Sequence, residues 1–185
     1  MIEGGIGGTN TQTGLIFEEK VDLATFLSNQ NRYFVNENSE VFYNNELVAQ
    51  IFKKNKFYEF LEKMRVNWTN IISKKILPDD SIYVFTNNTF FIIEYKFQKV
   101  SGSVDEKLQT CDFKKKQYQK LLHYLNVEHR LNVNNVNIEY IYLLSNWFKQ
   151  PSYKDVLEYI NSVGCWYFFE YIPLQFLGLP VPSYE

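Results

Sequence analysis

Arginine, cysteine and histidine are scarce in this chain of 185 residues, and its net charge is not positive. Only three of its 19 basic residues are arginine, and 21 acidic residues leave a formal net charge of −2. The chain therefore has no global positive field of the kind that attracts polyanions, and any anion-binding surface must gather its lysines on one face. The two cysteines and two histidines lack metal-ligand spacing, so neither a zinc site nor a disulfide framework is indicated.

Long apolar runs are missing as well. Residues 1–5 do not form a basic region followed by an apolar run, and no stretch reaches about 18 uninterrupted apolar residues. We therefore expect no signal peptide, no membrane span and a cytoplasmic location. The heavy use of lysine and asparagine indicates codon bias in an AT-rich genome, and we expect a bacterial or phage origin.

Apolar residues are abundant at 45% of the chain, and aromatic residues make up 18%, which is ample for a hydrophobic core. The length suits a single domain over residues 1–185. Clustered glycines predict a flexible N-terminus over residues 1–12, and prolines predict an irregular C-terminal tail over residues 173–185.

Helical and strand-like patterns alternate along the chain, which predicts a mixed α/β fold with a central sheet flanked by helices. The run Phe90-Phe91-Ile92-Ile93 predicts a strand buried on both faces. The predicted elements, in chain order, are a helix from near 13–17 to 27, a hairpin over 40–43 and 46–52 around Asn44-Asn45, a helix over 56–67, a hairpin over 81–85 and 89–98, a helix over 105–126, a strand over 138–145, a helix over 152–161 and a strand over 165–169.

Polar residues of unusual type follow the buried strand. Side chains alternate along a strand, so Glu94 and Lys96 are expected to project from one face and Tyr95 from the other. An acid and a lysine at the end of an apolar strand are costly unless something uses them. The alternative, an edge-strand ion pair on a solvated face, is disfavoured by the apolar run. Asp79 begins the partner strand, where its carboxylate can come alongside Glu94.

Two carboxylates and a main-chain carbonyl would form a site for a hard cation. Asp79, Glu94 and the carbonyl of Tyr95 supply the oxygen ligands that Mg²⁺ prefers, and Mn²⁺ could substitute. Lys96 could orient or help to deprotonate a metal-bound water for in-line attack on a phosphodiester. The pattern thus predicts metal-assisted phosphodiester hydrolysis.

The order Pro78-Asp79, spacer, Glu94-Tyr95-Lys96 resembles the signature of the PD-(D/E)XK nuclease superfamily. Residues 7–18 resemble the opening of a group of type II restriction endonucleases. Residues 97–98 and 102–110 resemble the segment that follows the catalytic lysine in the same group. The resemblance covers roughly residues 7–18 and 77–122, and it does not extend to the last 60 residues.

The resemblance implies a restriction-endonuclease-like core, with Asp79 and Glu94 as metal ligands and Lys96 as the catalytic lysine. Glu18 matches an acid on the first helix that supports the metal site, with an ordinary first-turn acid as the equal alternative. The doublet Asp79-Asp80 leaves open which acid enters the site. The Pro-Asp step favours Asp79.

The densest basic cluster is on the predicted helix that follows the catalytic strand. Its lysines could contact DNA phosphates, or they could simply form a solvated helix face. These lysines are Lys114, Lys115, Lys116 and Lys120.

The expected activity is that of a type II restriction endonuclease, which cuts double-stranded DNA at a specific short sequence using Mg²⁺. A homodimer would cut both strands, and a cognate DNA methyltransferase would protect the host. One alternative is a nuclease subunit that works with a separate recognition subunit, or a nicking enzyme. A structure-specific repair or recombination nuclease is another. A non-catalytic DNA-binding module on a nuclease fold is disfavoured by the intact set of Asp79, Glu94 and Lys96.

Overall fold

A computed structural model of the chain describes residues 22–98, 104–124 and 136–182. Strands of the described residues form one mixed seven-stranded sheet, in which the spatial order is the chain order. The strands are β1 Tyr33–Val35, β2 Glu40–Tyr43, β3 Glu46–Ile51, β4 Asp80–Val84, β5 Thr89–Lys96, β6 Asn137–Leu144 and β7 Trp166–Phe169. The helices are α1 Leu23–Ser28, α2 Asn55–Lys63, α3 Val104–Lys107, α4 Cys111–His123, α5 Lys154–Ser162 and α6 Leu174–Leu177. The predicted mixed α/β class is confirmed.

The sheet changes from antiparallel to parallel pairing at β5. Strands β1 to β5 pair antiparallel with their neighbours, whereas β5 with β6 and β6 with β7 are parallel pairs. Parallel neighbours need a long crossover connection. Helices α3 and α4 lie in the first crossover, and α5 lies in the second. This arrangement places α4 against the sheet beside the end of β5.

Two apolar layers enclose the sheet. Phe90 and Ile92 belong to the core cluster that α2, α4 and α5 cover. Phe91, Ile93 and Tyr95 belong to the opposite cluster, which α1 and the C-terminal segment cover. Strand β5 is therefore buried on both faces, as its apolar run predicts.

Tight turns fix the two hairpins. Asn44 and Asn45 both have positive φ values, of 49° and 66°, which is the signature of a two-residue type I′ turn. The predicted hairpin around these asparagines is confirmed. In the second hairpin, Asn88 has a φ of 51°, and five residue pairs join β4 to β5.

Two predictions about the chain ends need correction or lie outside the described residues. The prolines predict an irregular tail over 173–185, but this segment contains α6, and Leu174, Leu177 and Leu179 are buried against the sheet. Their apolar burial explains the short helix.

Strand β1 is not among the predicted elements, because its three residues are too few to show a strand pattern in the sequence. Residues 1–12 and the start of the predicted first helix lie outside the described residues. Across the described ranges, we find no helix of the length and apolar character needed to cross a membrane.

Candidate active site

The ends of β4 and β5 bring two acids side by side. Asp80, the first residue of β4, pairs with Ile93 in the antiparallel register. Asp79 precedes it by one residue and therefore lies across from Glu94. Its Oδ2 accepts a hydrogen bond of 2.9 Å from the backbone amide of Tyr95. The structure thus places Asp79 next to Glu94, with the difference that Asp79 lies just before β4 and not within it.

Glu94 is held by two lysines. Its side chain is 5% exposed, and its Oε2 lies 2.8 Å from Lys96 Nζ. Lys114 of α4 reaches both carboxylate oxygens, with Nζ 2.6 Å from Oε1 and 2.8 Å from Oε2. Lys96 Nζ also lies 3.3 Å from the carbonyl oxygen of Tyr95. Glu94 and Lys96 therefore project from the same face of β5, the one that α4 covers.

The two ammonium groups decide the charge state of Glu94. Burial alone would raise the pKa of this carboxyl group, because a charge in a low-dielectric interior is poorly solvated. The charges of Lys96 and Lys114 and their hydrogen bonds outweigh burial, and the net shift of the pKa is downward. This downward shift of the pKa favours the ionised form of Glu94.

Tyrosines that the sequence pattern does not single out line the same site. Tyr142 of β6 is the register partner of Glu94, and its ring lies 5.6 Å from Lys96 Nζ. The hydroxyl of Tyr140 makes no hydrogen bond of ordinary geometry with the described residues. Burial and the nearby charge of Glu94 raise the pKa of that hydroxyl well above its usual value. The alternation Tyr140-Ile141-Tyr142 signals one shared face, but only the β5–β6 register shows that this face is that of Glu94.

Asp80 lies on the other face of the sheet. It is 1% exposed, and its Oδ2 accepts a hydrogen bond from the hydroxyl of Tyr95. The same oxygen lies 3.5 Å from the backbone amide of Leu23, at the start of α1. Burial raises the pKa of Asp80 to about 6. Asp80 therefore points away from Glu94, and between the two acids of the doublet the geometry favours Asp79 as the ligand.

The four lysines of the predicted basic cluster point in different directions. Lys115 Nζ donates to the carbonyl of Gly164 at 2.6 Å, and Lys116 Nζ pairs with Asp112 at 2.9 Å. Lys120 is exposed, and only Lys114 enters the site. The cluster is therefore not one basic face, because successive helical residues are rotated by about 100°.

Helical spacing in the sequence distinguishes Lys114 from the other lysines of the cluster, whereas a count of charges does not. Cys111 and Tyr118 are buried residues of α4 that face the sheet. Lys114 follows Cys111 by three positions and precedes Tyr118 by four, so it falls on the apolar stripe of the helix. A lysine on such a stripe needs a buried anion as its partner. Glu94 is that partner.

Some of the predicted residues cannot be placed. Glu18 lies outside the described residues, and so do residues 99–103, which follow the predicted catalytic strand.

A groove of about 640 Å³ lies between α2 and the β2–β3 hairpin. Its lining contains three glutamates and two lysines and none of the candidate site residues, so it gives no support to a nucleic-acid contact there.

The candidate ligands fit Mg²⁺ in type and number. Within the described ranges, no three side chains of histidine, cysteine, aspartate or glutamate are grouped to hold a metal ion. Mg²⁺ does not need such a cage, since one or two carboxylates with several waters suffice. Asp79, Glu94 and the Tyr95 carbonyl match this need. Lys114 contacts both oxygens of Glu94, so a metal ion on that carboxylate would have to displace it.

Comparison with known proteins adds no relative. No family model matches the chain, and neither the curated proteins nor the solved structures contain a match. Support for a function therefore comes from the residues of this site and from the motif resemblance.

Proposed function

We propose that the chain is a type II restriction endonuclease that hydrolyses phosphodiester bonds in double-stranded DNA at a specific short sequence, with Mg²⁺ as its cofactor. One observation carries the proposal. Asp79 lies opposite Glu94 at the ends of two paired strands, and Lys96 projects beside Glu94 from the same face. Two carboxylates and a lysine at neighbouring strand ends are groups that metal-assisted phosphodiester hydrolysis can use. The restriction-endonuclease-like core is part of the same proposal.

The side chains divide the work of hydrolysis. A bound Mg²⁺ would supply Lewis acidity toward the phosphate and lower the pKa of a water molecule. Glu94 and Asp79 provide anionic oxygens, and Tyr95 provides its carbonyl. The Lys96 ammonium lies beside Glu94 and the Tyr95 carbonyl, where it donates hydrogen bonds and orients the attacking water. Attack by the water oxygen forms a new P–O bond in line with the P–O bond that breaks; the water gives up a proton to solvent, and the leaving oxygen takes a proton from solvent.

Partners follow from the chemistry of a double-strand break. One site cuts one strand, so a homodimer on a palindromic sequence is the simplest solution. A separate recognition subunit would serve the same purpose. The exposed Lys116 and Lys120 on α4 are candidates for phosphate contacts, and they position the DNA without reading its bases. A cognate DNA methyltransferase would protect the host.

The first test is digestion of phage DNA by the purified protein with Mg²⁺. Discrete bands that disappear with EDTA are the expected result. Nicked circles without linear product would favour a nicking enzyme or a missing subunit. Cutting confined to branched or flapped DNA would favour a repair nuclease. The absence of any cutting on several varied DNAs would contradict the proposal.

A pair of lysine variants then tests the site. Lys96→Ala should abolish cutting and leave DNA binding in place, because the ammonium acts on the reacting water. Lys56→Ala is the matched control, since Lys56 is an exposed lysine of α2 whose partner is Glu59. The control should cut at the native rate. Native cutting by a folded Lys96→Ala protein would disprove the assignment.

A further inference from the structure

Lys114 forms a close contact with Glu94 in the candidate active site. Its Nζ lies 2.6 Å and 2.8 Å from the two oxygens of Glu94, so one ammonium covers the whole carboxylate. Lys96 reaches only one of these oxygens. A cation that touches both oxygens occupies the place that a metal ion would take if it bound to Glu94.

The two lysines differ in how firmly they are held. Lys96 is on the same strand as Glu94, with its Nζ over the ring of Tyr142 and near the carbonyl of Tyr95. Lys114 reaches in from α4, and its side chain is 24% exposed against 15% for Lys96. Both lysines have the same flexible stem, so the greater exposure of Lys114 is what lets its ammonium group move into solvent more easily. Of the two ammonium groups, Lys114 is therefore the one that can leave.

Charge repulsion would drive Lys114 away from Glu94 when a divalent cation binds there. Glu94 and Asp79 carry one negative charge each, and Lys96 with Lys114 carry two positive charges, so the positive charges of the lysines already balance the two carboxylates. A divalent cation on the same carboxylate would add two more within contact distance, where repulsion is strong. The metal and Lys114 therefore compete for the oxygens of Glu94.

We propose that Lys114 is a built-in counter-cation of Glu94, which occupies both oxygens of this carboxylate and competes with the divalent metal for them. The inference takes the metal site of the proposed function as given. The role of Lys114 thus differs from that of Lys96, because it controls the affinity for the metal and does not act on the reacting water. It also follows that Lys114 is no ordinary member of a DNA-binding face.

Metal binding without DNA tests this role directly. The probe is Mn²⁺, and electron paramagnetic resonance measures the free ion in the presence of the full chain. Lys114→Met removes the competing charge and keeps the apolar stem. It should bind Mn²⁺ at least about tenfold more tightly than the native protein, since one unit charge at contact distance is removed. Lys116→Met is the matched control on the same helix, because Lys116 pairs with Asp112 and not with Glu94.

A second measurement covers the case in which Lys114→Met folds poorly. Removing the lysine leaves Lys96 as the ion-pair partner of Glu94 among the described residues, so the variant should be less stable than the native protein in EDTA. Mn²⁺ should raise its thermal midpoint more than it raises that of the native protein, because at one ligand concentration the stabilisation grows with the logarithm of the affinity for the folded state. The double variant with Glu94→Gln should lose this extra stabilisation.

Clear outcomes separate this inference from the proposed function. Equal or weaker Mn²⁺ binding by Lys114→Met, with no larger Mn²⁺-induced stabilisation, would overturn the role of Lys114 even in a protein that cuts DNA. An equal gain in affinity with Lys116→Met would also overturn it, because the effect would then be general electrostatics. Tighter binding confined to Lys114→Met would support the inference even in a protein that cuts no DNA.

Discussion

Asp80 is a buried acid on the face of the sheet opposite the candidate active site, and replacing it with asparagine should change how stability depends on pH. Its Oδ2 accepts a hydrogen bond from Tyr95, while its Oδ1 has no hydrogen-bond partner among the described residues. Burial raises the pKa of Asp80 to about 6, and the neighbouring Asp22 adds to this, while Tyr95, Lys53 and the Leu23 amide act against it. The folded protein therefore holds the proton of Asp80 more tightly than the unfolded chain does.

The size and sign of the effect follow from that shift. An unperturbed aspartate has a pKa of 3.8, whereas Asp80 in the folded protein has a pKa of about 6. A shift of about two units corresponds to about 3 kcal/mol, as an order of magnitude. Because the folded pKa is the higher one, this contribution to stability is fully present below about pH 4 and is lost as the pH rises through 6. Asp80→Asn cannot lose a proton and therefore lacks this loss.

The assay is urea unfolding followed by the fluorescence of the three tryptophans, with EDTA present throughout. The informative quantity is the difference in unfolding free energy between Asp80→Asn and the native protein. That difference should rise in favour of the variant by about 3 kcal/mol between about pH 4 and pH 8. If the asparagine amide also destabilises the protein by a constant amount, the free-energy difference shifts equally at every pH, and its rise between pH 4 and pH 8 is unchanged.

The companion variant is Tyr95→Phe. It removes a hydrogen bond that lowers the pKa of Asp80, so stability should be lost at a higher pH than in the native protein. A difference between Asp80→Asn and the native protein that stays flat with pH would refute the reasoning, because it would mean that Asp80 titrates alike in the folded and unfolded chains.

Three further substitutions test other parts of the structure. Tyr142→Phe removes the hydroxyl that donates to the Lys107 carbonyl at 3.0 Å, so unfolding in urea should show a loss of about 1 kcal/mol, and a loss above about 3 kcal/mol would contradict the single-bond account. Gly178→Ala should cost more than Gly164→Ala in thermal unfolding. Both glycines have φ near +70°, where a side chain costs about 1–2 kcal/mol, but only at Gly178 would the new Cβ overlap the side-chain amide of Asn87. Equal losses would argue against that close contact.

The sequence predicts β5 well because the signal is local. Four successive apolar residues can only be satisfied by burial on both faces, and alternation then places Glu94 and Lys96 on one side. The partner across the parallel pair is a different matter. Which residue of β6 lies beside Glu94 depends on how α4 packs in the crossover, and no local pattern records that. The position of Tyr142 therefore cannot be predicted from the sequence.

The doublet Asp79-Asp80 shows the same difference between what the sequence predicts and what only the strand register shows. The motif favours Asp79 because a proline precedes it, but it gives no physical reason for choosing Asp79 over Asp80. The register supplies one, since Asp80 pairs with Ile93 and Asp79, one residue before it, lies on the side of Glu94. Glu18 has no such test, because it lies outside the described residues.

The two faces of the sheet hold their acids by opposite means, and this predicts a pH optimum for stability. On one face, lysine charges outweigh burial and lower the pKa of Glu94, so its stabilising effect is present above its ordinary range and is lost on strong acidification. On the other, burial raises the pKa of Asp80 to about 6, so its effect is lost as the pH rises. The native protein should lose stability in both directions from mildly acidic pH. Asp80→Asn should remove the loss on the alkaline side and keep the loss in acid, and the same urea unfolding series measures both limbs. Disappearance of the acid limb in that variant would mean that the two faces are coupled through the sheet, contrary to the separate origins of the two shifts.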